Sequence, residues 1–345
     1  VEARPPFRPA VPAPGARLCW PAEFGRRYTI FVDTEEEFDW DAPFRRDATG
    51  VTATAAIPDA AARFTGLGAP LTYLVDHPVA TDPRAVAAIA RALEDGRSAV
   101  GTQLHPWVNP PFDEAVTPAN SFVGNLPPAL EAAKLDVLTA AIAQAFGRRP
   151  VSYRAGRYGL GTGSTALLAD RGYRIDTSMR ARYDFTAKGG PDYRAIGNDA
   201  FRVDGLVELP LTTIFTGVAR RGGEWLHALA GRIPRGTGLL ARAGLLNRVA
   251  LTPEDMPQAE ALEAVRVAVG EGLALLNLSF HSPSLVPGHT PYVRDARDLA
   301  AFWGWWDAVL GLLDRLGVRS ASEADILDAC AVANTPVSTD HAGGL

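Results

Sequence analysis

Asp33 opens the stretch Asp-Thr-Glu-Glu-Glu-Phe-Asp-Trp40, with Glu35, Glu36 and Glu37 behind it and the apolar run from Tyr28 in front. A carboxylate delivered by an apolar run into a group of like charges is suited to binding a metal or to serving as a base with a tuned pKa. Phe38 and Trp40 close the stretch and offer a pocket wall. A second candidate is Gly101-Thr-Gln-Leu-His-Pro-Trp107. In an extended chain Gln103 and His105 point the same way, a sound spacing for a ligand pair. Glutamine is a neutral oxygen donor, however, whereas zinc prefers imidazole, thiolate or carboxylate. His281, in Asn-Leu-Ser-Phe-His-Ser, follows another apolar run and could serve as a ligand or as a general acid. Arg154 and Arg157 bracket two small residues in Tyr-Arg-Ala-Gly-Arg-Tyr-Gly. An arginine there can hold a carboxylate through paired hydrogen bonds, and Gly156 and Gly159 permit close backbone approach.

These side chains need elements to deliver them. Short apolar runs, Tyr28 to Asp33, Pro70 to His77, Ser98 to Leu104 and Val151 to Gly156, alternate with helical stretches such as Asp82 to Gly96 and Asn125 to Gly147. That alternation is the signature of βα units around a parallel sheet. It returns in Tyr173 to Ser178, Leu206 to Leu211 and Leu273 to Ser282, and a tryptophan-rich helix, Arg297 to Gly317, closes it. Asp33, His77, His105, Arg154, Asp176 and His281 all fall at or just beyond strand ends, which in a parallel barrel share one rim. Thr252 is placed to cap a further helix, with Pro253 at its first position and Glu254 and Asp255 at its positive end. The expected organisation is a lead-in over residues 1–27, one barrel domain over 28–333 with an arginine-rich insertion around 218–250, and a tail over 334–345.

Composition bounds the rest. A chain of 345 residues, 47% hydrophobic, can bury a large core without disulfides. Cys19 and Cys330 stand alone, so a thiolate metal site or a disulfide scaffold is not expected. A net charge of -5 gives no support for a nucleic-acid partner, and no apolar run is long enough to span a membrane. The first 27 residues hold no hydrophobic signal core, from which a cytoplasmic location is expected. The segment Arg220 to Arg248 differs, with six arginines against the single acid Glu224, and is suited to covering a barrel face, contacting a partner or reaching an anionic ligand.

Taken in order, these blocks resemble the polysaccharide deacetylase (NodB-homology) family, in its branch associated with capsular and other surface-polysaccharide loci. The resemblance runs from Tyr28 to Leu327 through Phe31 to Trp40, Val100 to Pro111, Tyr153 to Gly159, Tyr173 to Ser178 with Val207 to Leu211, and Asn277 to Gly288. It implies an α/β fold, a distorted (β/α)7–8 barrel, and a divalent metal, usually zinc, held by one aspartate and two histidines. By the same resemblance Asp33 is the base, Arg154 its orienting arginine and His281 the acid. Trp40, Trp107, Arg157 and Asp176 are expected as substrate-binding groups from their place beside these residues. The ligand set departs from the family: Thr34 stands where the metal aspartate belongs, and Gln103 and Trp107 where the two histidines belong. An altered set of Glu35 (or Glu36), His105 and Gln103, with His77 in reserve, is then expected. The implied activity is hydrolysis of carbohydrate N-acetyl bonds on a glycan precursor. The alternatives are a catalytically silent carbohydrate-binding or assembly protein, and a hydrolase of small cyclic imides or ureides. Oligomeric state is not legible.

Overall fold

The structure, a computed structural model, describes residues 5–333 except Pro234 and Asp255. The expected tail over 334–345 and the role given to Asp255 therefore lie outside the described residues. The chain alternates as its apolar runs require. Strand β1 (Arg27–Thr34) leads through helix α1 (Ile57–Gly66) to β2 (Leu71–Val75), and α2 (His77–Thr81) and α3 (Pro83–Ala92) lead to β3 (Ala99–Leu104). Then α4 (Pro128–Phe146) precedes β4 (Ser152–Ala155), and α5 (Ser164–Asp170) precedes β5 (Ile175–Asp176). A less regular stretch supplies β6 (Phe201–Val203), β7 (Leu206–Glu208) and β8 (Thr213–Thr216), the short helices α6 (Gly223–Ala230) and α7 (Gly236–Arg242), and β9 (Asn247–Ala250). The chain closes with α8 (Gln258–Gly270), β10 (Leu275–His281), α9 (Ala296–Arg315), β11 (Arg319–Ser320) and α10 (Glu323–Val332).

The main sheet runs β10-β1-β2-β3-β4-β5-β7-β6, parallel except for the final β7–β6 pair, and β11 pairs with the start of β1. It is an open, curled α/β sheet, a distorted (β/α) barrel of the deacetylase type. Its edges are tied by side chains and irregular backbone. The Thr212 N–H donates to the Asn277 carbonyl at 3.2 Å, the Asn277 amide donates to the Leu209 carbonyl at 2.8 Å, and the Ser279 N–H donates to the Leu251 carbonyl at 3.2 Å.

Strand alternation sorts the core into two layers. Phe31, Leu74, Ile175, Val207 and Leu275 pack inside the curl, with Ile326 of α10 at its base. Ile30, Val32, Tyr73, Leu278 and Phe280 face outward under helices that include Trp305 and Trp306 of α9. Inward positions turn polar toward the strand ends: Asp33 follows Phe31, and Asn277, Ser279 and His281 follow Leu275. The inner layer is thus apolar at its base and reactive at its top.

One expectation changes. The helix placed after Thr252 begins at Gln258. The Thr252 hydroxyl instead accepts from the Glu254 N–H at 3.3 Å, turning Glu254 inward. The arginine-rich insertion consists of α6 and α7 mounted on the antiparallel pair β8–β9.

Candidate active site

Asp33 and His281 are register partners on adjacent strands, so both project from the top of the inner layer. Arg154, one strand beyond β3, reaches across the curl. Its Nη1 lies 2.5 Å from Asp33 Oδ1 and donates to Ser279 Oγ at 2.8 Å, while its Nε donates to the Thr177 carbonyl at 3.0 Å. The guanidinium lies 5.5 Å above the Phe31 ring, which seals it from below. The other carboxylate oxygen of Asp33 faces His281 Nε2 at 3.5 Å. His281 Nδ1 is 2.6 Å from Glu254 Oε2, and Glu254 Oε1 accepts from the His281 N–H and the Ser284 hydroxyl. Burial alone would lower the His281 pKa, but Glu254, Glu35 and Asp33 together hold it well above the usual imidazole range. His281 is therefore a protonated imidazole pinned on one nitrogen and facing Asp33 with the other.

His105 presents two faces. Its Nδ1 is 2.7 Å from Glu36 Oε2, and the other Glu36 oxygen accepts the Trp107 indole N–H at 2.6 Å. Behind them Asp76 caps α2 through Val79 and accepts the Glu36 N–H at 2.7 Å. The other ring nitrogen, Nε2, points to Glu35 Oε2 at 3.5 Å, and Gln103 Nε2 donates to that same oxygen at 3.3 Å. Glu35 Oε1 and Gln103 Oε1 are buried with no hydrogen-bond partner. Burial drives the pKa of Glu35 and of Glu36 up and that of His105 down, so the imidazole is neutral. A neutral ring whose Nδ1–H is held by a carboxylate leaves Nε2 as a lone-pair donor, the orientation that metal-binding histidines take.

Glu36, Asp76 and His105 form a compact buried group that could bind a divalent cation. The Glu36 and Asp76 oxygens already accept hydrogen bonds from the protein, and neither residue lines the cavity. The second set, Glu35, Gln103 and His105 through Nε2, opens onto the cavity and holds the two unpartnered oxygens.

The cavity itself measures about 260 Å³. Trp40 packs edge-on against His281 at 5.0 Å and Trp107 stacks on His105 at 4.4 Å, so the two tryptophans wall the imidazoles as well as the cavity. Arg157 sits in left-handed backbone, φ 56°, and stacks on Phe122 at 4.1 Å while burial lowers its pKa to about 10. With Arg180 and Lys188 it makes one wall basic, opposite the acids of the floor. Gly156 explains the close fit around His105, because a Cβ there would lie 2.3 Å from the imidazole Cδ2.

Asp33, Glu35, Gln103, His105, Arg154 and His281 thus converge, and Trp40, Trp107 and Arg157 line the same space. Asp176 and His77 do not reach it. Ile175 occupies the inner layer, so Asp176 projects outward, where Ser178 donates to it and Glu208 is its close neighbour. His77 is the first residue of α2. Three supporting residues carried no signal toward the site in the sequence. Glu254 had the composition of a helix start, Asp76 that of a strand-end cap, and Lys134, whose ammonium donates to the carbonyls of Pro106, Asn109 and Pro111 in the loop after His105, that of a surface helix position.

Curled sheet, polar strand ends and buried carboxylate–imidazole pairs define the class: a (β/α) barrel of the deacetylase type with a candidate divalent-metal cluster. Solved structures agree at the level of the fold. A candidate polysaccharide deacetylase from Mycobacterium smegmatis superposes with a TM-score of 0.55 at 16% identity, covering 93% of this chain and 95% of its own. A candidate glycoside hydrolase/deacetylase from Parabacteroides distasonis gives 0.53 at 13% identity, over 89% and 70%. A third, named as a probable polysaccharide deacetylase from Pseudomonas aeruginosa PAO1, gives 0.50 at 12%, over 90% and 91%. No protein-family model and no curated relative matches the sequence. The likeness reaches the fold and no particular branch.

Proposed function

We propose that this protein is a hydrolase that removes an N-acetyl group from a carbohydrate, in keeping with the surface-polysaccharide deacetylases that its sequence resembles. The observation that carries this reading is the pairing of Asp33, anchored by Arg154, with His281, held protonated by Glu254, at 3.5 Å across one cavity. In the proposed reaction Asp33 takes a proton from the attacking water as its oxygen bonds to the carbonyl carbon. His281 Nε2 gives its proton to the amide nitrogen as the C–N bond breaks, and acetate and a free amino sugar leave. Trp40 and Trp107 offer apolar faces to the sugar ring, and the basic wall suits a substrate that carries negative charge.

The residues also fit a divalent cation, zinc in the first instance. Glu35, Gln103 and His105 Nε2 would hold it, with Glu36 fixing the imidazole. Bound there, such an ion supplies Lewis acidity to the carbonyl and lowers the pKa of water. The test is acetate release from N-acetylated saccharides, where Asp33→Asn is expected to lower kcat by about 10²–10⁴-fold.

A second reading rests on cavity size. A volume of about 260 Å³ lies below the usual range of ligand pockets and suits a small cyclic imide or ureide as well as one sugar residue. Turnover of small imides with no acetate release from any saccharide would favour it.

A further inference from the structure

Among the described residues, half of the large apolar side chains that are exposed lie between Val218 and Leu245. They include Trp225, 68% exposed, and Leu239, 60% exposed, with Leu229 and Ile233 between them. Helical spacing arranges them with arginines. Arg221, Trp225, Leu229 and Arg232 follow one another along the outer face of α6 and its exit, and Arg235, Leu239 and Arg242 do so along α7. Among the described residues Arg221, Arg232, Arg235 and Arg242 have no carboxylate partner. The segment's single acid, Glu224, is already paired with Arg182. The opposite side of the excursion is fixed to the body: Gly223 packs on Phe215 of β8, and Ala230 and Leu246 are buried.

We propose that this outer face docks the protein on an anionic lipid surface. Interleaved apolar and arginine side chains are what an interfacial element presents, with rings and branched chains entering the headgroup boundary and guanidinia meeting phosphates. Charge separates this occupant from the others. A two-fold contact with a second copy would set these arginines against themselves without a free acid to relieve them. A nucleic acid would use the cations and leave Trp225, Leu229, Ile233 and Leu239 in water. The body of the chain is acidic, with a net charge of -5 despite this segment, so an anionic surface attracts the excursion and repels the rest. The root of the excursion adjoins the cavity wall. Arg248, at the root of the excursion, stacks on Tyr183 at 3.8 Å, and Tyr183 stacks in turn on Arg180 of the cavity wall at 3.9 Å.

The experiment is co-sedimentation of the full chain with vesicles of phosphatidylcholine alone and of an equal mixture with phosphatidylglycerol, with light scattering of the protein by itself. Binding to the mixed vesicles only, weakening with salt, is expected. Arg232→Gln and Arg235→Gln should each lower partitioning about fivefold. Trp225→Ser with Leu239→Ser should lower it further at unchanged circular dichroism. Absence of binding to mixed vesicles at low salt overturns the proposal. So does binding that these variants leave untouched, or a dimer in solution that Arg232→Gln dissociates.

Discussion

At the scale of single residues the structure treats two imidazoles in opposite ways. His105 is neutral and held on Nδ1 by Glu36, whereas His281 is protonated and held on Nδ1 by Glu254. One is prepared to give a lone pair, the other a proton. If Glu36 fixes the His105 ring, Glu36→Gln should weaken zinc binding by about 10–100-fold in calorimetric titration, the usual cost of losing an outer-shell partner. Unchanged affinity would remove Glu36 from that role. For His281 the raised pKa keeps the imidazolium present above its ordinary range and loses it as pH rises through the folded value. Activity that depends on it should therefore fall on the alkaline side, and Glu254→Gln should move that fall to lower pH in a kcat/KM profile. A fall that stayed in place would assign the acid elsewhere. Asp33, Arg154, His105 and His281 were legible in the sequence because each follows an apolar run. Glu254 was not, because Thr252 and Pro253 before it make an equally good helix start, and only the return of β10 beside it turns the carboxylate inward.

At the scale of elements, what matters is how the segments after the strands are held. The loop after His105 is fastened by Lys134 of α4, fully buried, which donates to the carbonyls of Pro106, Asn109 and Pro111 and pairs with Glu114 at 3.1 Å. Lys134→Met leaves those carbonyls without their donor and Glu114 with Arg46 in place of two cations, and should cost about 3 kcal/mol in denaturant unfolding, in the range for breaking a buried ion pair. A cost below 1 kcal/mol would show that the loop holds itself. On the outer side of β5 and β7, burial raises the pKa of both Asp176 and Glu208; Asp176 raises that of Glu208 further, whereas the hydrogen bond with Glu208 draws that of Asp176 back down. Their contribution to stability is present below the ordinary carboxyl range and lost as pH rises through the folded values. Glu208→Gln should flatten the decline of Tm with rising pH relative to the parent protein, and an unchanged slope would contradict the pairing. The regular strands β1 to β4 were readable because each is a short segment, buried on both faces, that alternates with a helical stretch. The stretch carrying β6 to β9 was not, since its strands are short, pair antiparallel or leave the main sheet, and give no alternation with helices to read.

At the scale of the whole molecule, the curl of the sheet is what makes a site from residues up to 248 positions apart in the chain, Asp33 and His281 being register partners on β1 and β10. The sequence order of the strands was legible; the closure was not. It depends on Asn277 and Thr212 bridging two edges, contacts that no periodicity announces. The same separation explains why Asp176 could be placed at a strand end and yet face away, because β5 is too short for alternation to orient it. Should a cation be held by Glu35, Gln103 and His105, zinc at about 100 times its Kd ought to stabilise the protein by about 2.7 kcal/mol in thermal unfolding. A chelator should reverse the gain, and Glu35→Ala should abolish it.

The central claim is that Asp33 and His281 act together on an amide bound in this cavity. The most direct measurement is acetate release from N-acetylated saccharides, comparing the parent protein with Asp33→Asn at equal zinc loading. Steady release by the parent is expected, with a loss of about 10²–10⁴-fold in the variant and circular dichroism unchanged. Equal release by both proteins would contradict it.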